Sequence, residues 1–206
     1  MKKILICILL CTCIAVNAQE DSAVSIIEKI KQANVGYTSI TSDFTQTRHL
    51  SFMDEDVISN GKFFYSKPNR LLMKYGQPAG DLMLINKDQL VMIAAGKYTK
   101  ASTKTSAKAR TMRNILSSCL QGDVSMIDDI KISSGETADS HVITAELTKK
   151  GRNKNISKVV LYYDKSDLTL SVLRMEERDG SYTVYKLINK VLNQAVSDEV
   201  FKAPKK

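Results

Sequence analysis

The sequence has few cysteines, two histidines and no tryptophan. Three of its four cysteines lie within the first thirteen residues, so Cys119 is the only thiol in the rest of the chain and cannot form an internal disulfide there. His49 and His141 are distant in sequence, and neither has a second histidine or a cysteine at ligand spacing. We therefore predict no metal site and no cofactor, and expect the stability to come from an apolar core.

No sequence motif of enzymatic chemistry is present. The chain has no glycine-rich phosphate loop and no nucleophile elbow. Glu176 and Glu177 are neighbours on a predicted strand, so their side chains point to opposite faces and cannot act as a catalytic pair. We therefore predict that the protein is not an enzyme and has no catalytic residue. Hydrolysis of a lipid or glycan through Asp43, Glu176 or Glu177 is the alternative, although nothing brings a base, a nucleophile and an orienting group together.

No hydrophobic run reaches the roughly 20 residues that a membrane-spanning helix needs. The apolar segment at residues 4–15 is too short, follows two lysines and precedes the small residues VNA at 16–18. A positive start, a short apolar region and small residues at the cleavage position are typical of a signal peptide. We predict that residues 1–18 are removed on export to the periplasm and that residues 19–206 form a single domain.

The net charge is positive, at +8 for the whole chain. It falls to +6 without residues 1–18, because that segment holds two lysines and no acidic residue. The basic residues are spread along the chain rather than gathered on one recognition helix, so we predict no nucleic-acid partner. A basic exported protein can instead meet anionic membrane surfaces, acidic proteins or polysaccharide.

Residues 59–86 are dense in strand-forming side chains. Apolar and aromatic runs at 61–65, 70–75 and 81–85 are separated by proline, glycine and asparagine, which predicts short antiparallel strands joined by turns. In the first two runs the odd positions are large and apolar or aromatic, whereas the even positions include lysine and arginine. One face of this sheet is therefore predicted to be apolar and the other mixed.

Two amphipathic helices are predicted, at residues 21–34 and 109–120, because apolar residues recur there at helical spacing. About ten strands are predicted around them, including a short one at 126–132 that ends in a turn at 133–135. No long helix separates consecutive strands, which argues against a parallel sheet. The order of elements favours an antiparallel, strongly curved sheet or barrel with the helices laid against it.

Several predicted strands are apolar at successive positions, as at 82–85, 91–93 and 159–163. A sheet with one face in water does not need such runs. Either both faces are covered, or one face lines an internal cavity that also receives the helices.

Several short sequences resemble the periplasmic outer-membrane lipoprotein carriers, the LolA-like family. They are DFTQ at 43–46, SNGKFFY at 59–65 running into KPN at 67–69, YGQP at 75–78, and VSDEVF at 196–201 running into AP at 203–204. The resemblance covers essentially all of the chain after residue 18. It implies a mainly β fold with α, in which an open, incomplete antiparallel β-barrel carries helices over its apolar concave face.

The same resemblance implies a function. A hydrophobic cavity shelters the acyl chains of a lipoprotein, and the protein shuttles this cargo from the inner to the outer membrane. The implied partners are acylated lipoproteins, an inner-membrane ATP-driven lipoprotein extractor and an outer-membrane lipoprotein acceptor, and the carrier is expected to be a monomer. The alternative is a carrier or sensor of another lipid on the same fold.

The resemblance also implies site residues. The predicted wall of the lipid-binding cavity is Phe44, Phe63, Tyr65, Leu71, Met73, Met83, Ile85 and Met92. The predicted lid contact is Lys67, Arg70, Met112, Leu116 and Leu120. Family members often have an arginine directly before Pro-Asn, where it holds the lid through backbone carbonyls; Lys67 keeps the charge but lacks the planar fork of donors. The alternative for the methionines is an ordinary core, and for Lys67 and Arg70 a solvated turn.

Overall fold

The computed structural model describes residues 15–124, 130–148 and 155–204. The predicted signal peptide falls mostly outside the described residues. The strands are β1 (Ser39–His49), β2 (Val57–Ser66), β3 (Arg70–Tyr75), β4 (Leu82–Asn86), β5 (Gln89–Ala94), β6 (Lys97–Ser102), β7 (Ile130–Glu136), β8 (Ser140–Leu147), β9 (Ile156–Asp164), β10 (Leu170–Glu177) and β11 (Tyr182–Leu192). The helices are α1 (Ala15–Val35), α2 (Ala107–Gln121) and a short 3-10 helix (Asp198–Phe201).

All the described strands belong to one antiparallel sheet. Its order is β6-β5-β4-β3-β2-β1-β11-β10-β9-β8-β7. Strand β1 joins the two halves, because it pairs with β2 on one side and with β11 on the other, whereas all other neighbours are consecutive in the chain. The edge strands β6 and β7 do not pair with each other, so the sheet stays open. The predicted open, antiparallel barrel with helices on one face is confirmed.

The face of the sheet that carries α1 and α2, called here the concave face, holds most of the buried side chains. Gly61 in β2 is required there, because a Cβ atom would lie 2.1 Å from the Lys74 carbonyl oxygen and 2.7 Å from the Phe44 ring. The missing side chain makes room for the Phe44 ring, which is buried and meets Tyr75 edge-on at 5.2 Å. The glycine of the SNGKFFY sequence thus lets the core pack closely on this strand.

The two helices contact each other as well as the sheet. Helix α2 begins after Ser106, whose side chain accepts a hydrogen bond from the Ala109 amide, and it ends at Gly122 in the left-handed conformation (φ 70°). A Cβ atom on Gly122 would lie 2.6 Å from Cγ2 of Ile30 in α1, so the helices approach closely here. An ion pair between Lys31 and Asp123, at 3.2 Å, joins the same two segments.

The opposite, convex face has a smaller core over β3, β4 and β5. Phe201 of the 3-10 helix is fully buried against Leu72, Leu84 and Val91. The Asn86 side-chain amide donates a hydrogen bond of 2.9 Å to the Phe201 carbonyl oxygen, which fixes the 3-10 helix to β4. Strand β4 is therefore covered on both faces, which accounts for its unbroken apolar sequence.

The structure corrects one detail of the predicted strands. The turn predicted at 133–135 is wrong, because β7 runs through these residues and pairs with β8 along its whole length. Its sequence KISSGE is polar because β7 is an edge strand that pairs on one side. The first part of the predicted strand, residues 126–129, lies outside the described residues.

Candidate binding cavity

A small apolar cavity of about 30 Å³ lies between the concave face and α2. Helix α2 contributes three successive inward positions, Leu116, Cys119 and Leu120, which helical spacing places on one face. The other lining residues come from β2, β3, β10 and β11, and are Phe63, Leu71, Met73, Leu170, Leu173, Tyr185 and Leu187. A volume of this size holds about one water-sized group, so the helix packs almost directly on the sheet.

Seven of the eight residues predicted for the cavity wall are buried in one cluster on the concave face: Phe44, Phe63, Tyr65, Leu71, Met73, Met83 and Ile85. Among them, Phe63, Leu71 and Met73 line the cavity itself. Met92 lies opposite Met83 in the β4–β5 pair, so it belongs to the same face, but it is 40% exposed. Met92 therefore shares the concave face without being buried there.

Strands β10 and β11 supply four cavity residues that were not predicted from the sequence: Leu170, Leu173, Tyr185 and Leu187. In β11, Tyr185 and Leu187 are two positions apart, so alternation could have assigned them to one face. In β10, Leu170 and Leu173 are three positions apart and share a face because the pairing with β9 shifts register between Leu170 and Val172. Nothing local indicates that this face meets β2 and β3, because that depends on the pairing of β1 with β11.

Lys67 holds the end of α1 rather than α2. Its ammonium group donates hydrogen bonds to the carbonyl oxygens of Asn34 and Val35, the latter at 3.1 Å. A cation is favourable there because the helix C-terminus carries unpaired carbonyls and a partial negative charge. The Asn34 side chain continues the attachment with a bond of 2.8 Å to the Leu168 carbonyl oxygen. Burial lowers the pKa of the Lys67 amine.

The contacts of Arg70 contradict its predicted position at the lid. Arg70 starts β3 beside Leu71 and points to the convex face, because successive side chains of a strand alternate. Its guanidinium pairs with Asp198, donates a hydrogen bond of 2.9 Å to Ser66 Oγ and lies 5.0 Å from the centre of the Phe201 ring. Arg70 therefore fixes the 3-10 helix and not α1 or α2.

Helix α2 is attached at both ends, and Met112, Leu116 and Leu120 face the concave core between them. Near its C-terminal end, the Tyr163 hydroxyl donates a hydrogen bond of 2.7 Å to the Cys119 carbonyl oxygen. Burial raises the pKa of the Cys119 thiol to about 12, so the thiol stays protonated and inert while α2 is in place.

The segment before α2 is held by ion pairs with the β4–β5 turn. Asp88 pairs with Lys104 at 2.9 Å and with Arg113 at 3.7 Å, and its backbone carbonyl accepts a hydrogen bond of 2.8 Å from the Thr103 amide. Arg113 also donates to Thr103 Oγ1 at 3.0 Å. These contacts lie at the surface, whereas the Tyr163 contact is buried.

Two of the three acids considered for catalysis, Asp43 and Glu176, are bound in ion pairs. Asp43 pairs with Lys62 and accepts a hydrogen bond of 2.9 Å from Asn189, and Glu176 pairs with Lys158 at 2.9 Å and Arg174. Within residues 15–124, 130–148 and 155–204, no group of three or more His, Cys, Asp or Glu residues could hold a metal ion. In the same ranges no helix is long and apolar enough to cross a membrane.

Comparison with known proteins identifies the family. The family model described as outer membrane lipoprotein carrier protein LolA matches residues 36–204. None of the curated proteins matches the chain. A solved structure of a DUF1329 family protein from Desulfovibrio piger is 15% identical, and the match covers 88% of this chain and 96% of that one with a TM-score of 0.52.

Two further solved structures match more weakly. A putative outer membrane lipoprotein-sorting protein domain from Vibrio parahaemolyticus is 10% identical over 88% of this chain and 96% of its own, with a TM-score of 0.49. The Pseudomonas aeruginosa MucA/MucB complex contains a chain that is 10% identical over 89% of this chain and 61% of its own, also with a TM-score of 0.49. At such identities the likeness concerns the fold alone. Because the family model spans most of the sequence, the protein belongs to the LolA family of outer membrane lipoprotein carriers.

Proposed function

We propose that this protein is a periplasmic carrier that takes the acyl chains of lipoproteins into the space between α2 and the concave face and shuttles them from the inner to the outer membrane. The observation that carries the proposal is the apolar cavity, lined by α2 and by strands from both halves of the sheet. Family membership supports binding of a lipid or lipoprotein rather than catalysis. The signal-peptide sequence at residues 1–18 supports export.

The cavity has the chemistry that a carrier of acyl chains needs. Removing each CH₂ group from water contributes about 0.8 kcal/mol, so an acyl chain cannot cross an aqueous compartment unsheltered. A cavity of about 30 Å³ is far too small for such a chain, so α2 has to move away from the sheet when cargo enters. In this proposal the packed arrangement of α2 is the closed form of the carrier.

The carrier is tested by asking whether the chain from residue 19 keeps a triacylated lipopeptide in solution after removal of vesicles. We expect a soluble complex with the wild-type protein and its loss in Leu116→Glu, which places a charge in the cavity. Lys108→Glu, an exposed change on the same helix, is the matched control and should bind normally. Leu173→Phe, which fills the cavity without adding charge, should weaken binding in a protein that still folds.

Cys119 gives an independent measurement of lid opening, because it is the only cysteine after residue 13 and lines the cavity. We expect slow reaction with a maleimide in the closed form and still slower reaction once lipopeptide fills the cavity. Failure of the wild-type protein to hold any acylated peptide would reject the carrier. Mass spectrometry of lipid extracted with the protein separates lipoprotein from another lipid cargo.

The transport role needs a test in cells. The proposed partners are acylated lipoproteins, an inner-membrane ATP-driven extractor and an outer-membrane acceptor, with the carrier acting as a monomer. We expect depletion of the protein to leave outer-membrane lipoproteins in the inner membrane. Normal sorting in depleted cells, together with lipid binding in solution, would favour a carrier or sensor of another lipid.

A further inference from the structure

A group of polar side chains interrupts the apolar concave face at one end of the cavity. Gln46 of β1 lies directly opposite Tyr185 of β11, and the Tyr75 hydroxyl of β3 donates a hydrogen bond of 2.6 Å to Gln46 Oε1. Tyr185 also lines the cavity, so the polar group and the apolar cavity are continuous. The Phe44 ring is close to both phenol rings, with ring centres 5.2 Å from Tyr75 and 6.5 Å from Tyr185.

The hydrogen bonds of this group end at Gln46. Burial raises the pKa of both phenols, so both stay protonated at neutral pH. A hydrogen bond between the two phenols joins Tyr185 to the group. Tyr75 in turn donates to the Gln46 carbonyl oxygen, so this oxygen is occupied by the protein.

The Gln46 amide NH₂ group is the end of this chain of bonds. No hydrogen bond occupies it in the part of the chain that the structure describes, and a glutamine amide nitrogen can only donate. Arg48 lies two residues further along β1 on the same face, about 7 Å away by strand geometry, and its side chain is exposed. Arg48 has no described ion pair, and its guanidinium likewise offers donors only.

We propose that Gln46 and Arg48 form a polar subsite at the end of the apolar cavity that binds the ester carbonyl oxygens of a glycerol-linked acyl cargo. The Gln46 NH₂ group and the Arg48 guanidinium can only donate hydrogen bonds, and an ester carbonyl oxygen can only accept them. The apolar cavity next to Tyr185 receives the hydrocarbon, so the two parts match the two parts of an ester-linked acyl chain. This inference rests on the proposed function and names the chemical group that the same cavity recognises.

The test compares two probes that differ at the proposed contact alone. Dipalmitoylglycerol has ester carbonyls, whereas the matching dihexadecyl glycerol ether has the same chains without them. Affinities are measured by displacement of a fluorescent acyl probe from the chain beginning at residue 19. We expect the wild-type protein to bind the ester about tenfold more tightly, which corresponds to one or two hydrogen bonds.

Three variants separate the subsite from general effects. Gln46→Leu and Arg48→Met should each reduce the preference for ester over ether several-fold while leaving binding of the ether unchanged. Thr45→Val, on the same strand and the opposite face, is the matched control and should keep the full preference. Arg48 is exposed, so its variant tests the subsite even where Gln46→Leu folds poorly.

Each outcome has a distinct meaning. Equal affinity of the wild-type protein for ester and ether overturns the subsite, as does a preference that survives both variants. A preference for dipalmitoyl phosphatidic acid over dipalmitoylglycerol that disappears in Arg48→Met, with no ester preference, assigns the site to phosphate and also overturns it. Failure to bind any of the three probes rejects the lipid-carrier function itself, which is a separate result.

Discussion

The two faces of the sheet are covered in different ways. The concave face carries α1 and α2 and holds the cavity, whereas the convex face is covered over β3, β4 and β5 by the 3-10 helix that inserts Phe201. The convex contact is small and centres on one fully buried aromatic ring. The concave contact is large and leaves an apolar cavity under α2. The two covers can therefore be changed separately, which makes their roles in stability and in the proposed binding testable.

Two neighbouring cations illustrate the same division. Lys67 bonds to the carbonyls at the end of α1, and Arg70 pairs with Asp198 beside Phe201. They were expected to act together at a lid. Lys67 stands in the turn before β3, whereas Arg70 is in β3 with its side chain on the convex face. Each cation therefore holds the cover of a different face.

The largest effects are expected from removing one aromatic ring on each face. Phe44→Ala and Phe201→Ala should each lower the free energy of unfolding by about 3–5 kcal/mol, since both rings are buried. Of the two variants, only Phe44→Ala should change the affinity for an acyl probe, because Phe44 belongs to the concave core and Phe201 to the convex one. The stability is measured by urea unfolding monitored with circular dichroism, and the affinity by binding of the acyl probe at low temperature. A loss of affinity in folded Phe201→Ala would contradict the separation of the two faces.

A glycine substitution tests whether α1 and α2 move as one unit. Gly122→Ala places a methyl group against Ile30, whereas Gly96→Ala has nearly the same φ, 74° against 70°, and nothing within 4 Å. The backbone strain should be equal, so the difference in unfolding free energy measures the helix contact alone. We expect Gly122→Ala to be less stable than Gly96→Ala by about 2 kcal/mol.

The same pair of variants reports on the lid. Loosening of α1 from α2 should make Cys119 react faster with a maleimide in Gly122→Ala than in Gly96→Ala. Equal stability and equal reactivity of the two variants would show that the approach of Ile30 to Gly122 does not restrain the helices.

The N-terminal half of the fold could be read from the sequence because its signals are local. The turns at 67–69 and 76–80 limit β3 and β4, and the strand predicted at 70–75 has the observed bounds. Six of the residues predicted for the cavity wall lie at residues 59–86, and all six are buried on the concave face. Met92 has the correct face but is exposed, because alternation gives the direction of a side chain and not how far the cover extends.

The rest depended on contacts between distant residues. The Leu173 and Tyr185 side of the cavity needs the pairing of β1 with β11, which joins residues more than a hundred positions apart. Arg70 was assigned to the lid because its partners, Asp198 and Phe201, are distant in sequence and no local pattern identifies them. The strand β7 was broken in the prediction because an edge strand needs no apolar alternation to pair through its backbone.

A smaller effect is expected from the attachment of α1. Lys67→Met should lower the free energy of unfolding by about 1 kcal/mol, because the carbonyls at the helix end lose a charged donor. Hydrogen exchange should rise for the last amides of α1, and Lys67→Arg should restore protection. Arg70→Met is the control on the convex face and should leave these amides unchanged. Equal exchange in all three variants would refute the role of Lys67 as the anchor of α1.

The smallest effect concerns the surface ion pairs before α2. The hydrogen bond with Lys104, aided by the charges of Lys104 and Arg113, lowers the pKa of Asp88 in the folded protein. A carboxyl group with a lowered folded pKa stabilises the fold above its unfolded pKa, and this contribution disappears as the pH falls through the folded value. The advantage of the wild-type protein over Asp88→Asn should therefore be present at neutral pH and vanish in acid below the ordinary carboxyl pKa.

The salt dependence of the unfolding free energy is a second test of the Asp88 ion pairs. In about 1 M salt the range of electrostatic interactions falls to about 3 Å, so the advantage over Asp88→Asn should shrink at neutral pH as well. Asp54→Asn, at an exposed loop position, is the control and should show neither dependence. A difference that persists in acid and in salt would mean that the Asp88 side chain acts through packing or turn geometry. In that case the buried contacts of α2, its apolar packing and the Tyr163 hydrogen bond, would hold it against the concave face without a contribution from surface charge.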